Sequence, residues 1–330
     1  MQITRAFAAS VTALLVIAYA CISLFSGAAA IGQTTTVTPD VAVGPQYDTT
    51  HVYVASTEFD RFVASVIATF GGSASKKGVF TVTPTASKTM SQLVLTPVGT
   101  FSVFGFVTPI PYPFGSERTG YLVTDMDSAI HAARETGADI IVSPFNDPIG
   151  RDAIIQWPGG VNTQLYWHTT APSYTSLQLI PENRVYVSAY AVNAFVRSFL
   201  TFSHGKVVSD DAHAPGIEIG RPTDTYRRIR LQSKFGKVIA LVTDGHLPYP
   251  YGRELTGYEV AELSDTISKA KAAGVAVLVG PYKGDQQNAA MVQFPGGYIA
   301  EIHSVIGKQS ATGQAVRPFQ EYAGNAQQLR

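Results

Sequence analysis

The segment Pro111-Tyr-Pro-Phe-Gly-Ser-Glu-Arg-Thr-Gly-Tyr121 returns 137 residues later as Pro248-Tyr-Pro-Tyr-Gly-Arg-Glu-Leu-Thr-Gly-Tyr258. Two further segments repeat in the same order. His51-Val-Tyr-Val-Ala returns as Arg184-Val-Tyr-Val-Ser, and Gln156-Trp-Pro-Gly-Gly160 returns as Gln293-Phe-Pro-Gly-Gly297. Three ordered matches indicate a tandem duplication. The chain is therefore predicted to contain two modules, 51–169 and 184–305, joined by residues 170–183.

Each module contains two similar units. A short β-rich run, Val52–Ala55 or Val185–Ser188, precedes a segment with apolar residues at helical spacing, 59–70 or 191–202. After further strands the pattern restarts with a strand, a helix that ends at a glycine, and three more strands. The Pro-Gly-Gly segments provide residues for a tight turn between the last two strands. The chain thus comprises four strand–helix–strands units.

This pattern resembles the vicinal oxygen chelate superfamily, which includes glyoxalase I, bleomycin-resistance proteins and extradiol dioxygenases. The resemblance spans nearly all of residues 51–304. It rests on Tyr258-Glu-Val-Ala-Glu-Leu-Ser-Asp, on the helix ending in Ala272-Ala-Gly and on Phe294-Pro-Gly-Gly-Tyr-Ile-Ala-Glu301-Ile. It implies an α+β fold of tandem glyoxalase-like modules, in which four βαβββ units form curved open sheets around a cup with a metal at its floor.

The resemblance also implies the metal ligands, because the superfamily takes them from the first and last strands of modules. These positions correspond to His51 and Gln164 in the first module and to Glu301 in the second. His303 lies two residues beyond Glu301, shares its strand face and is an alternative ligand. The implied divalent metal, Fe, Mn, Zn or Ni, would polarise a small substrate with vicinal oxygens, and Glu301 would also be a catalytic carboxylate.

Arg184 occupies the remaining ligand position and cannot coordinate a metal, because a guanidinium has no acceptor lone pair. If Arg184 faces the cup, it is predicted to pair with Glu301, since a buried carboxylate needs a partner. The protein would then be a metal-free module in which Arg184 contributes to ligand binding. Both interpretations stay open at this stage.

The two Pro-Tyr-Pro loops are predicted to lie beside the cup. His246 is a candidate acid–base group there, and Tyr249 and Tyr251 are candidate substrate-binding residues. Packing between the modules explains the loops equally well, since both modules carry them. Arg227, Arg228 and Arg230 form a local basic cluster, which is predicted to be a solvated strand edge with anion binding as the alternative.

Composition excludes several function classes. The chain has 24 Lys and Arg against 24 Asp and Glu, so the basic excess that nucleic-acid binding requires is missing. No phosphate loop or dinucleotide-binding glycine motif is present, which argues against a nucleotide cofactor. The expected partner is therefore a small-molecule substrate or ligand. Two modules within one chain predict a monomer with an internal pseudo-dimer.

The ends of the sequence have separate characters. Residues 6–25 are almost continuously apolar after Arg5, and Ala28-Ala-Ala30 follows, so residues 1–30 are predicted to be a signal peptide. A retained membrane anchor is the alternative. Either predicts an exported protein, periplasmic or secreted. Cys21, the single cysteine, lies in this leader. Residues 31–50 are predicted to be a linker and residues 306–330 a polar tail.

The sequence supports two hypotheses on function. The first is an exported, metal-dependent lyase, isomerase or dioxygenase with His51, Glu301 and either Gln164 or His303 as ligands. The second is a metal-free small-molecule-binding module in which Arg184 and Glu301 replace the metal site. The metal content of the purified protein and of a Glu301→Ala variant would distinguish them.

Overall fold

The computed structural model describes residues 38–116 and 118–307. The predicted leader and most of the predicted tail lie outside these ranges. The first module contains nine strands: β1 Thr49–Tyr53, β2 Ser73–Ala74, β3 Gly78–Phe80, β4 Thr89–Thr96, β5 Gly99–Phe106, β6 Arg118–Leu122, β7 Asp139–Asn146, β8 Gly150–Trp157 and β9 Val161–His168. Its helices are α1 Phe59–Phe70 and α2 Met126–Glu135.

The second module repeats this order with eight strands. They are β10 Glu182–Val187, β11 Lys206–Pro215, β12 Thr225–Ser233, β13 Gly236–Val242, β14 Leu255–Glu259, β15 Ala276–Lys283, β16 Gln287–Gln293 and β17 Ile299–Val305. Its helices are α3 Val192–Ser203 and α4 Leu263–Ala272. The predicted α+β class and the four βαβββ units are confirmed.

Each module forms one mixed sheet. In the first, β1 pairs in parallel with β5 and antiparallel with β6, and β6 pairs in parallel with β9. In the second, β10 pairs with β13 and β14, and β14 pairs with β17, in the same directions. The first and last strands of a module therefore lie on either side of one strand of that same module, β6 or β14. The expectation of one hollow shared by both modules is wrong, because each sheet curves around its own cup.

The opposite faces of the sheets form the core between the modules. Side chains alternate along a strand, so His51 faces the cup while Val52 faces away from it. Two buried clusters cross the module boundary. One joins the β6–β9 half of the first module to the first half of the second, for example Trp157 with Phe199. The other joins the remaining halves, for example Phe101 with Tyr258.

The predicted linker before the first module extends too far along the chain. Val41 is buried in the core, Ala42 forms a β-bridge with Val123, and strand β1 begins at Thr49. From residue 38 onward this segment belongs to the folded module, because Val41 and Tyr47 supply apolar side chains among its Thr and Pro residues.

The two predicted Pro-Gly-Gly turns are present. Gly159 and Gly160 have φ values of +93° and +87°, and Gly296 and Gly297 have +84° and +94°. These backbone conformations favour glycine, which explains the repeated dipeptide. Among the described residues, no helix is long and apolar enough to cross a membrane.

Candidate functional site

The cup of the first module contains a cavity of about 270 Å³. Its walls include six aromatic side chains, from strands on both halves of the sheet and from the segments that cover it: Tyr53, Phe80, Phe104, Phe114, Tyr166 and Tyr174. The rings are held by one another, since the centroids of Tyr53 and Phe104 lie 5.4 Å apart. We call this space the first cup.

The floor of the first cup carries the two residues that the sequence analysis placed there. His51 on β1 and Gln164 on β9 both line the cavity and are 4% exposed. The ring of His51 packs edge-on against Phe104, with 5.5 Å between centroids. The close approach of β6 requires Gly120, because a Cβ there would lie 2.6 Å from Nε2 of His51.

Asp152 on β8 is a floor residue that sequence analysis did not identify. It is 7% exposed, lines the cavity, and accepts a hydrogen bond from the side chain of Gln164. Burial, together with the charge of Asp147, raises the pKa of Asp152 well above its usual range, although the bond from Gln164 opposes the shift. No feature of the sequence distinguishes Asp152 from other strand carboxylates, because only the fold brings it beside Gln164.

His168 and Tyr166 line the first cup beyond the floor. Burial lowers the pKa of His168 to about 4, so its imidazole is neutral at pH 7. Tyr166 donates its hydroxyl hydrogen to the backbone oxygen of Tyr47, which fixes the ring. The carboxyl groups of Asp147 and Asp152 therefore share the cup with a neutral imidazole.

The first Pro-Tyr-Pro loop covers this cup. Phe114 is buried, lines the cavity and packs edge-on against Phe145, whereas Tyr112 is 91% exposed. The second loop does the same in its own module, where Tyr251 packs against Leu255, Met291 and Ile299. The expectation that the loops pack between modules is therefore wrong, because each loop folds over the cup beside its own strand.

The corresponding space in the second module, the second cup, is filled by side chains. Arg184 forms an ion pair with Glu301 and donates to Glu182 at 2.9 Å. Glu301 is fully buried, and its second oxygen lies 2.8 Å from Nδ1 of His303. Burial raises the pKa of Glu182, but the electrostatic interactions with His303, Arg184 and Lys237 outweigh this effect and lower the pKa to about 2.

A second buried charge cluster completes the filling. Arg228 is 2% exposed and bonds to Glu218 and, at 2.7 Å, to Asp285. Glu218 also accepts from the hydroxyl of Tyr226 at 2.7 Å. The predicted solvated edge is therefore wrong for Arg228. The alternation of β12 turns it into the cup, where two carboxylates compensate its charge.

The other candidates in the second loop lie outside the second cup. His246 is exposed at a left-handed turn with φ of +46°, and its backbone oxygen accepts from Arg221 at 3.1 Å. Tyr249 is 61% exposed, with the guanidinium of Arg253 5.6 Å from its ring centroid. Of the predicted loop residues, Tyr251 alone is part of a cup interior.

The predicted metal ligands do not come together. His51 and Gln164 lie in the first cup, whereas Glu301 and His303 lie in the second sheet. No group of three or more His, Cys, Asp or Glu side chains among the described residues could hold a metal ion. In the second cup the fixed charge of Arg184 opposes a cation, and Glu301 already has two partners. The residues present do not fit the implied metal.

A wider groove of about 520 Å³ lies at the rim of the second sheet. It is lined by short side chains and backbone, including Ser188, Thr243 and Gly245, beside Tyr190. Its lining contains one carboxylate, Asp244, which pairs with Arg221 at 3.0 Å. The first cup, with its buried polar floor and aromatic walls, is the stronger candidate for a binding site.

Comparisons with solved structures agree with this architecture. A mutant of 4-hydroxymandelate synthase from Streptomyces coelicolor matches with a TM-score of 0.53 and 12% identity, covering 81% of this chain and 94% of that chain. Homoprotocatechuate 2,3-dioxygenase from Arthrobacter globiformis matches with a TM-score of 0.50 and 14% identity, covering 83% and 84%. No protein-family model and no curated protein matches the sequence. At these identities the likeness establishes the fold.

Proposed function

Since the chain has the fold of the vicinal oxygen chelate superfamily, we propose that it binds a small molecule in the first cup without a metal. The second cup acts as a scaffold. The observation that carries this proposal is the contrast between equivalent positions. His51 and Gln164 border a cavity of about 270 Å³, whereas Arg184 and Glu301 form a buried ion pair.

The character of the first cup supports binding of a largely apolar ligand. Small-molecule sites are typically concave, lined by apolar and aromatic side chains, and contain a few polar groups that fix orientation. The first cup combines aromatic walls with Gln164 and Asp152 at its floor. Its volume limits the ligand to a small one, about the size of a single substituted ring.

Metal-dependent lyase, isomerase or dioxygenase chemistry is the alternative. The resemblance implies it, but the donor set does not favour it. The first cup offers one imidazole and one neutral amide at the implied ligand positions, and that amide already donates to Asp152. We therefore place the function with binding rather than with metal-assisted catalysis. The predicted export of the protein remains part of the proposal, since it would place the binding site outside the cytoplasm.

Native mass spectrometry with a library of single-ring fragments, neutral, anionic and cationic, tests this proposal. The comparison uses the wild type, Ser102→Phe and Ser102→Ala. Ser102 lines the first cup beside His51, and the second module has Ile239 at this register position, so a larger side chain is compatible with the sheet. We expect one-to-one binding of at least one fragment to the wild type and to Ser102→Ala, and its loss in Ser102→Phe.

Two results would overturn the proposal. One is the absence of binding by every fragment. The other is stoichiometric Fe, Mn, Zn or Ni in the wild-type protein, measured after reconstitution, that a Gln164→Ala variant fails to retain. The second result would restore a metal site in the first cup.

A further inference from the structure

The floor of the first cup is rich in hydrogen-bond acceptors. Oε1 of Gln164 is buried and has no hydrogen-bond partner among the described residues, although the side chain is 4% exposed and borders the cavity. The carboxyl group of Asp152 lies beside it. A buried acceptor without a donor is costly, so this arrangement points to a ligand that brings N–H or O–H groups.

The ionisable groups at and near the floor include two carboxyl groups without a Lys or Arg partner among the described residues. Asp152 and Asp147 both line the cavity, and neither forms an ion pair with a described Lys or Arg side chain. Arg151, the strand neighbour of Asp152, points to the other face and pairs with Asp127 at 3.1 Å. Buried carboxyl groups are stabilised by a cation, and the described part of this cup places no Lys or Arg side chain at the floor.

The second cup shows what such a site accommodates. There the guanidinium of Arg184 lies between Glu301 and Glu182, and it interacts electrostatically with Tyr186, Tyr251 and Tyr282. The second module therefore encloses an organic cation among carboxylates and aromatic rings. That cation is its own side chain.

Strand register relates the two cups residue by residue. His51 pairs with Ser102 in the same way that Arg184 pairs with Ile239, so His51 and Arg184 occupy equivalent positions. Gln164 and Glu301 are likewise equivalent, because they pair with Gly120 and Gly257. The shorter His51 side chain leaves the cavity that Arg184 fills in the other module, while the acceptor at the last strand is retained.

We propose that the ligand of the first cup is a small organic cation, an amidine, guanidine or protonated amine, whose N–H groups bind Asp152 and Gln164. This inference rests on the proposed function and specifies the class of ligand. The aromatic walls suit such a ligand, because the face of an aromatic ring attracts a cation within about 6 Å of its centroid. The remainder of the ligand packs against Phe80, Phe104 and Phe114.

The other ionisable groups of the cup are compatible with a cation. His168 is neutral at pH 7, and Asp147 adds negative charge. Lys76 also lines the cavity, but it is exposed, so its ammonium is screened by solvent. His51 and Tyr166 complete the set that faces Asp152.

Isothermal titration with three isosteric probes tests the inference. Benzamidine is the cation, benzamide the neutral analogue and benzoate the anion. We expect benzamidine to bind at least tenfold more tightly than benzamide, and benzoate not to bind.

Three variants test whether the charge preference arises in the first cup. Asp152→Asn should lose the preference for benzamidine, whereas Asp127→Asn, which removes an exposed carboxylate on α2, should keep it. The double variant His51→Arg with Gln164→Glu recreates the ion pair of the second cup and should abolish binding of benzamidine and benzamide. Thermal unfolding of each variant establishes that the fold is retained.

The possible failures are distinguishable. If benzamide or benzoate binds as tightly as benzamidine, and Ser102→Phe prevents this, the inference about charge is overturned while the proposed function stands. If none of the three probes binds, the inference is overturned as well. If Asp152→Asn keeps the full preference for benzamidine, Asp152 does not recognise the cation and the inference fails.

Discussion

The first cup and the second cup differ at two positions that the shared strand register makes equivalent. In the first, His51 and Gln164 border a cavity. In the second, Arg184 and Glu301 pair within it. The surrounding sheets have the same strand order and directions. The comparison teaches that a long side chain with carboxylate partners can convert a cavity into a core without altering the sheet that encloses it.

The largest expected effect tests whether the second cup depends on its ion pair. Arg184→Ala leaves Glu301, which is fully buried, without its guanidinium partner. Loss of one member of a buried pair typically lowers the free energy of unfolding by about 3–5 kcal/mol. Urea unfolding at pH 7 measures this. Arg184→Met combined with Glu301→Leu, which removes both charges, should cost much less. Equal losses in the two variants would contradict the electrostatic explanation.

Alanine substitutions at two equivalent glycines, Gly120 and Gly257, test whether the second cup is packed more tightly than the first. A Cβ at Gly257 would lie 2.7 Å from Nε of Arg184, and one at Gly120 would lie 2.6 Å from Nε2 of His51. Arg184 is held by two carboxylates, whereas His51 borders a cavity into which it can move. Gly257→Ala should therefore destabilise the protein by about 2 kcal/mol, in the range of overpacked cores, and Gly120→Ala by about half as much. Thermal unfolding of the two variants provides the test, and the reverse order would count against a filled second cup.

The substitution Asp152→Asn tests the energetic cost of burying the carboxyl group of Asp152 in the first cup. Because burial raises the pKa of Asp152, the folded state retains a proton that the unfolded state loses above the ordinary Asp pKa of 3.8. The free energy of unfolding therefore falls as the pH rises from 3.8 to the higher pKa of Asp152 in the folded state. The amide removes this cost, so Asp152→Asn should raise the free energy of unfolding by about 1 kcal/mol at pH 7 and have little effect at pH 3. A variant that is equally stabilised at both pH values would refute this explanation.

The smallest effect concerns His168. Its pKa is lowered from 6.5 to about 4, so the unfolded state binds a proton between these values while the folded state does not. The contribution of His168 to the free energy of unfolding is therefore complete above pH 6.5 and decreases as the pH falls from 6.5 towards 4. His168→Gln should reduce the acid-induced loss over this interval by less than about 1 kcal/mol, because solvent screens a partly exposed group. Urea midpoints measured every half pH unit would resolve it, and an unchanged profile would show that His168 does not contribute.

Much of the fold follows from local patterns. The repeated segments around Gly120 and Gly257 and the Pro-Gly-Gly turns predict two modules with two units each. The structure contains these four units. Pairing of strands distant in sequence was not predictable to the same degree. Gln164 lies beside Asp152 because their strands are neighbours in one sheet, and Gln164 is separated from Glu301 because each sheet closes within its own module.

The residues of the site were therefore only partly predictable. The resemblance identified His51, Gln164, Arg184 and Glu301 as cup positions, and the ion pair between the last two was an explicit alternative. It could not reveal Asp152, whose neighbours are ordinary strand residues in the sequence. Arg228 was expected in solvent because a basic cluster usually is, and its compensation by Glu218 and Asp285 arises from contacts 10 and 57 residues away.

The two buried clusters that cross the module boundary are related by an approximate twofold arrangement, since each half of one module packs on the opposite half of the other. A protein with a single module could have associated through the same surfaces as a symmetric dimer. In such an ancestor every substitution would appear in both subunits at once. Within one chain the two copies can change independently, so that Arg184 fills the second cup while the first keeps its cavity.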